Sequence, residues 1–264
     1  MALVFAALVP HSPLLVPNIG REHCQLLAKT LKAFEELSTA LAEAQPEAII
    51  IMSPHIENGA NWWNANVSLT YHVDLSIFGD LLTKDSWEGA LRLVIDLQDY
   101  LWPDQSLRLY SQPALDYGTS IPLLLLGSAV QRVKILPVGY INNQPERQAL
   151  FGHQLGEFSR QWPGRIALLG SGDLAHTLGP DQPSKAQGQG HKFDQELQRA
   201  LEQNDEAAIL NMPSDLLSKT GQCAWLGYLT VNAALANQLG QWHNLVYEAP
   251  FGVGSAIWYW QTSS

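Results

Sequence analysis

Four side chains that bind metals or carry protons follow apolar runs typical of buried strands. His11 lies between two prolines after the first run, and His55 follows the second. His176 and Glu248 come after two later runs. Because ligands of open α/β sheets bind outside the carboxyl ends of strands, neighbouring strands would bring all four into one crevice. The prolines restrict the turn and would direct His11 into that crevice.

The types of these residues indicate metal chemistry. Two histidines and one carboxylate form the facial ligand set of non-haem Fe(II) oxygenases. His11, His55 and Glu248 are therefore predicted to hold Fe(II), with open positions for an organic substrate and O2. His176 is left for proton transfer, because the ordinary pKa of histidine lies near neutrality. Zinc accepts the same ligands, so zinc is the alternative metal.

The elements that must position these residues alternate between strand and helix. The run Leu3–Val9 predicts a strand covered on both faces, and residues 21–44 show the apolar spacing of an amphipathic helix. Ala48–Ser53 then predicts a second buried strand, which completes a βαβ unit. We predict one α/β domain over residues 1–264, with a central mixed, mostly parallel sheet and helices on both sides.

Two later stretches have less regular patterns. Residues 66–73 are predicted as one strand and residues 86–101 as one helix. Cys223 begins a predicted helix and is expected to be a small buried group and not a ligand.

Composition excludes several classes of protein. The 264 residues are 46% hydrophobic and 15% charged, which is typical of a folded enzyme-sized chain. A formal net charge of −10 argues against binding to nucleic acid. Two cysteines cannot form a disulfide framework and suit a reducing cytosol. The first apolar run is predicted as a strand and not as a signal peptide, and no run has membrane-spanning length, so we expect a cytoplasmic protein.

Five segments, in order along the chain, carry a family resemblance. They are "PHSPLLVPNIG", "IIIMSPH", "LDYGTSIPL", "GSGDLAH" and "YEAPFGVG". The sequence resembles the class III extradiol ring-cleavage dioxygenases, in the superfamily that also includes the Memo-like proteins. The resemblance extends from His11 to Gly254.

The resemblance implies roles for individual residues. It implies iron ligands at His11, His55 and Glu248, and an acid/base histidine at His176. Tyr117 stands where such dioxygenases usually carry their second active-site histidine, so it is predicted as a further catalytic residue. The alternative is that Tyr117 packs beneath the helix that follows it. A single α/β domain and frequent homodimers are also implied.

The predicted function is an Fe(II)-dependent extradiol dioxygenase that uses O2 to cleave the ring of a catechol-like or aminophenol-like aromatic. A small aromatic molecule is the expected partner, with no nucleic acid and no membrane, and a homo-oligomer, a dimer in particular, is expected. Two alternatives remain open. One is a Memo-like binding module without oxygen chemistry, and the other is a zinc-dependent hydrolase on the same scaffold.

Overall fold

A computed structural model describes residues 3–57, 59, 61–103, 107–141, 144–179 and 188–262. The strands are β1 (Leu3–Val9), β2 (Ala48–Met52), β3 (Trp63–Asn66), β4 (Thr70–Val73), β5 (Ser86–Glu88), β6 (Leu107–Tyr110), β7 (Ala114–Leu115), β8 (Lys134–Val138), β9 (Ile166–Ser171), β10 (Gly240–Glu248) and β11 (Ser255–Thr262).

The helices are α1 (Pro17–Gly20), α2 (Ala28–Ala44), α3 (Leu91–Leu101), α4 (Tyr117–Leu126), α5 (Pro145–Gln161), α6 (Gln189–Glu202), α7 (Glu206–Leu210), α8 (Ser214–Thr220) and α9 (Trp225–Ala234). Short 3-10 segments cover Pro13–Leu15, Arg21–Leu27, Ser76–Phe78 and Gly127–Val130. Among the described helices, none combines the length and the apolar character that crossing a bilayer requires.

The main sheet is mixed, with parallel strands at its centre. Its order is β10-β11-β1-β9-β2-β8-β3-β6, and the four strands from β1 to β8 in this order are mutually parallel. Strand β11 runs antiparallel to both of its neighbours, so β10 points the same way as β1. A smaller sheet has the order β5-β4-β7. The predicted α/β class and mixed sheet are confirmed.

Both faces of the central strands are buried, which explains their unbroken apolar sequences. In β2, Ile50 faces one hydrophobic core, and Ile49 and Ile51 face the other. The first core contains side chains of α3, α5, α6 and α9, and the second contains side chains of α2 and α4. The helices therefore cover both sides of the sheet, and polar ligands can enter only at the strand ends.

Two predicted elements are divided in the structure. Asn66 ends β3 and Thr70–Val73 form β4, and these two strands lie in different sheets. The predicted helix over 86–101 begins only at Leu91, because Ser86–Glu88 form β5. Gly89 follows β5 at a place where a Cβ would collide with the Ser68 carbonyl oxygen. This close approach of two backbone segments ends the small sheet before α3 starts.

Helices α5 and α9 touch through their backbones. A Cβ at Gly152 would overlap the carbonyl oxygen of Thr230, and one at Gly156 would overlap that of Ala234. The two glycines lie one helical turn apart on α5, so they form a flat strip against α9. This strip fixes the position of α9, which begins immediately beyond Cys223.

Candidate metal and active site

The central parallel strands deliver a group of polar side chains to one edge of the sheet. His11 lies just beyond β1, His55 just beyond β2, and Asp173 just beyond β9. His11 is buried and His55 is half-buried. Their Nε2 atoms are 3.0 Å apart, so the structure brings these two predicted ligands together.

A hydrogen-bond chain sets the tautomer of His11. Its Nδ1 lies 2.8 Å from the Ser171 hydroxyl oxygen, and that hydroxyl donates its proton to the Gly118 carbonyl. Because the hydroxyl has only one proton, its oxygen accepts from His11 Nδ1–H. The lone pair of His11 Nε2 therefore points toward His55, as in histidines whose second nitrogen is held by an outer partner.

Both imidazoles are neutral near pH 7. Burial, followed by repulsion from His176, lowers the pKa of His11 to about 3. Burial is also the main cause that lowers the pKa of His55 to about 4, with smaller contributions from His11 and His176. Only neutral imidazole donates a lone pair to a metal, so both rings have the required charge state.

Cys223 completes a group of three donors. Its Sγ lies 3.5 Å from His11 Nε2, and the donor atoms of His11, His55 and Cys223 all lie within 4.8 Å of one another. Burial, with a smaller effect of Asp173, raises the pKa of the Cys223 thiol well above its usual range. The sequence does not single out Cys223 as a donor. It shows only a cysteine at the start of a helix, and the distance from His11 arises from the packing of α9 against β9.

Asp173 supports this group from the side. Its Oδ1 accepts the backbone N–H of His11 at 3.1 Å, and its Oδ2 lies 3.8 Å from His11 Nε2. Burial raises the pKa of this carboxyl, whereas the His11 N–H and His176 lower it. Asp173 thus holds the turn that carries His11.

Tyr117 begins α4 and lies between the two histidines and the second hydrophobic core. Its ring stacks on His55, with centroids 3.9 Å apart, and meets His11 edge-on at 5.5 Å. Asp116 caps α4 by accepting from Thr119 N–H at 3.0 Å, which fixes the direction of the tyrosine. Burial is the main cause that raises the pKa of Tyr117 to about 12, so its hydroxyl is a neutral donor.

His176 follows β9 in the chain and does not belong to the donor group. Its charge affects the pKa values of His11, His55 and Asp173. The side chain is exposed, and its backbone N–H donates to the Thr220 carbonyl at 2.8 Å. Its position suits a group that exchanges protons with both solvent and a molecule bound at the edge.

The structure does not bring Glu248 together with His11 and His55. Strand β11 separates β10 from β1, so the two strand ends are about 10 Å apart at ordinary strand spacing. Glu248 Oε1 instead accepts from Thr30, from its backbone N–H at 2.9 Å and from its hydroxyl at 2.7 Å. Thr30 lies in the first turn of α2, where backbone N–H groups lack helical partners. The carboxylate therefore caps a helix.

A cavity of about 640 Å³ opens beside this edge. His55 and Tyr117 form its boundary with the donor group. Its other lining residues include aromatic, apolar, amide and charged side chains, notably Tyr110, Ile77, Asn64, Asn66 and Arg108. Its volume lies within the usual range for small-molecule sites.

Comparison with known proteins identifies the family of this chain. Residues 5–257 match the family model described as the catalytic LigB subunit of aromatic ring-opening dioxygenase. The chain belongs to the LigB family. The family match confirms the resemblance to the class III extradiol dioxygenase superfamily and covers every predicted site residue.

Two individual relatives extend the comparison. The LigB-family chain is 25% identical over 264 aligned residues to Protein CA_C1420 of Clostridium acetobutylicum. This alignment covers 95% of the chain but 56% of the relative, so the chain spans little more than half of that protein. The crystal structure of uncharacterized protein JW3007 from Escherichia coli K12 has the same fold, with a TM-score of 0.62 at 15% identity. That match covers 97% of this chain and 99% of the other.

Proposed function

We propose that this chain is a metal-dependent dioxygenase that opens the ring of a catechol-like or aminophenol-like aromatic with O2. The observation that carries the proposal is the pair of neutral histidines, 3.0 Å apart, beside a cavity of small-molecule size. Membership of the LigB family supports the same class of reaction. Fe(II) is the metal that this chemistry uses, and zinc is the alternative.

The two histidines fit a divalent ion. Metal–nitrogen bonds of about 2.0–2.1 Å place two ligand nitrogens about 2.9–3.4 Å apart for angles between octahedral and tetrahedral. The observed separation of the Nε2 atoms falls in this range. Bound there, a divalent ion would supply a Lewis acid that holds two adjacent polar groups of the substrate and activates O2.

His176 is the proposed acid and base. It would accept a proton from a substrate hydroxyl or amine group and return it when the ring opens. Its exposure lets it exchange protons with water between turnovers. Its place in the segment after β9, the strand between β1 and β2 in the sheet, supports this role.

Tyr117 is the proposed orienting group. Its ring stacks on His55 at the cavity wall and offers the substrate an aromatic face. With a pKa of about 12, its hydroxyl donates a neutral hydrogen bond and carries no positive charge. It would therefore stabilise an anionic oxygen less than a protonated histidine at this position.

An oxygen-uptake screen tests the proposal. The iron-loaded full chain is incubated with a panel of catechols and aminophenols, and both oxygen consumption and ring-opened products are measured. In parallel, His176→Ala should retain its iron and lose turnover by about 10²–10⁴-fold, the usual contribution of a general acid or base. Absence of oxygen uptake across the panel contradicts the proposal. Loss of iron from His176→Ala contradicts the role given to His176.

One observation favours a second candidate function, a zinc-dependent hydrolase. The Cys223 sulfur lies beside the histidine pair, and thiolate ligands favour zinc over harder ions. Metal analysis of anaerobically purified protein separates the candidates. One equivalent of zinc without any oxygen uptake after iron loading would favour the hydrolase.

A further inference from the structure

We infer that Cys223 is the third metal ligand, so that this chain holds its ion with two imidazoles and one thiolate. The inference rests on the metal site of the proposed function and names the ligand that His11 and His55 leave open. It departs from the set of two histidines and a carboxylate that the sequence predicts.

The distances fit a sulfur ligand. A metal–sulfur bond of about 2.3 Å and a metal–nitrogen bond of about 2.0–2.1 Å place the two ligand atoms about 3.5 Å apart at a tetrahedral angle. Cys223 Sγ lies 3.5 Å from His11 Nε2. Among the residues that the structure describes, one group of three metal-binding side chains has all its donor atoms within 4.8 Å of one another. Its members are His11, His55 and Cys223.

The backbone around the sulfur is arranged to support a thiolate. The N–H of Asp173 donates to Cys223 Sγ at 3.2 Å, and the N–H of Cys223 donates to the Asp173 carbonyl at 3.1 Å. Hydrogen bonds to a ligating sulfur are among the outer contacts that orient and tune metal sites. This reciprocal pair of bonds joins the start of α9 to the end of β9, so the sulfur is fixed relative to His11.

The carboxylates near the sheet edge have other roles. Glu248 is occupied by Thr30 of α2. Asp173 lies nearer, but its Oδ1 accepts the His11 backbone N–H, and its carboxylate does not belong to the donor group. Asp173 Oδ2 lies 3.8 Å from His11 Nε2, whereas Cys223 Sγ is nearer, at 3.5 Å, and belongs to the donor group.

Anaerobic titration of the reduced full chain with Co(II) tests the inference. The wild type should bind one equivalent and show the near-ultraviolet absorption of a sulfur-to-cobalt charge transfer. Cys223→Ser and Cys223→Ala should lose this band and bind Co(II) at least about tenfold more weakly. Cys24→Ser is the matched control, because Cys24 Sγ instead donates to the Leu14 carbonyl at 3.2 Å, and it should match the wild type.

A second measurement uses only the wild type and does not depend on the folding of a variant. Bound Co(II) should slow alkylation of Cys223 by iodoacetamide and leave the rate at Cys24 unchanged, as read by peptide mass spectrometry. If the wild type binds Co(II) without the band and without protection of Cys223, the inference is overturned and the metal site of the proposed function stands. If the wild type binds no Co(II), both are overturned.

Discussion

His11 after β1 and Glu248 at the end of β10 lie at the same edge of the sheet, but they face different partners. Around His11, the outer nitrogen is held by Ser171 and the inner nitrogen faces another ring nitrogen and a sulfur. Around Glu248, the carboxylate oxygen already accepts two hydrogen bonds from Thr30. At the end of β1, two ring nitrogens and a sulfur contact one another, whereas at the end of β10 the carboxylate completes a helix.

Tyr247, next to Glu248, shows the same structural pattern on the opposite side of β10. Its hydroxyl donates to the buried Asp194 carboxylate at 2.8 Å, and Asp194 also accepts the Ala175 N–H at 2.9 Å. Polar residues at the β10 end thus connect the strand to α2 and α6. A polar strand end therefore indicates a ligand site where donor atoms of several side chains converge, and not where one side chain completes a helix.

The largest expected contrast is between His11→Ala and Glu248→Gln. The first should lower the affinity for Co(II) more than about 100-fold, because losing even an outer partner of a ligand costs about 10–100-fold. The second keeps an oxygen that accepts from Thr30 and should leave the affinity unchanged. Anaerobic calorimetric titration measures both. A strong loss of affinity in Glu248→Gln would show that Glu248 also contributes to metal binding.

Ser171→Ala should produce an intermediate effect. Without the hydroxyl, His11 Nδ1–H loses its acceptor and the preference for the metal-binding tautomer weakens. Affinity for Co(II) should fall by about 10–100-fold. Ser159→Ala is the matched control, since Ser159 is also buried and its hydroxyl has no partner in the described part of the chain. Equal affinities in the two variants would show that the tautomer is set elsewhere.

Asp194→Asn should leave metal affinity unchanged and act on stability alone. Burial raises the pKa of Asp194 from 3.8 to about 6, although the bonds from Ala175 N–H and Tyr247 hydroxyl lower it. The folded state therefore binds this proton more tightly than the unfolded state. Its contribution to the free energy of unfolding is fully present below about pH 4 and is lost as the pH rises through about 6.

Two pKa units correspond to about 3 kcal/mol, so the wild type should lose up to that amount relative to Asp194→Asn between pH 4 and pH 7. Urea unfolding at several pH values measures the difference between the two proteins. Metal affinity should be the same in both. If the free energies of unfolding of the two proteins change equally with pH, the pKa of Asp194 is the same in the folded and the unfolded chain.

Much of the architecture could be predicted from local sequence. Apolar runs such as Leu3–Val9 identify strands buried on both faces, and the strand ends identify His11 and His55. The strand predictions succeed because each depends on residues adjacent in the chain. The division of residues 86–101 into β5 and α3 was not predictable, because it involves the close approach of Gly89 to the carbonyl of Ser68 in a distant segment.

The third ligand depends on long-range packing. Glu248 has the sequence position of a ligand, but strand order places β11 between it and His11. Cys223 has no distinctive local sequence, yet the docking of α9 brings its sulfur 3.5 Å from His11, which is 212 residues away in the chain. No pattern of residue spacing within one sequence predicts that distance.

The glycine strip of α5 gives the site a dependence on residues that perform no chemistry. Gly152 and Gly156 let α9 approach closely, and α9 begins immediately after Cys223. A mutational scan scored by metal content would therefore rank these glycines with the ligands themselves. Transplanting the site into another scaffold would require the α5–α9 contact together with the strand ends. The reason is that helix packing determines the distance between the sulfur and the ring nitrogens.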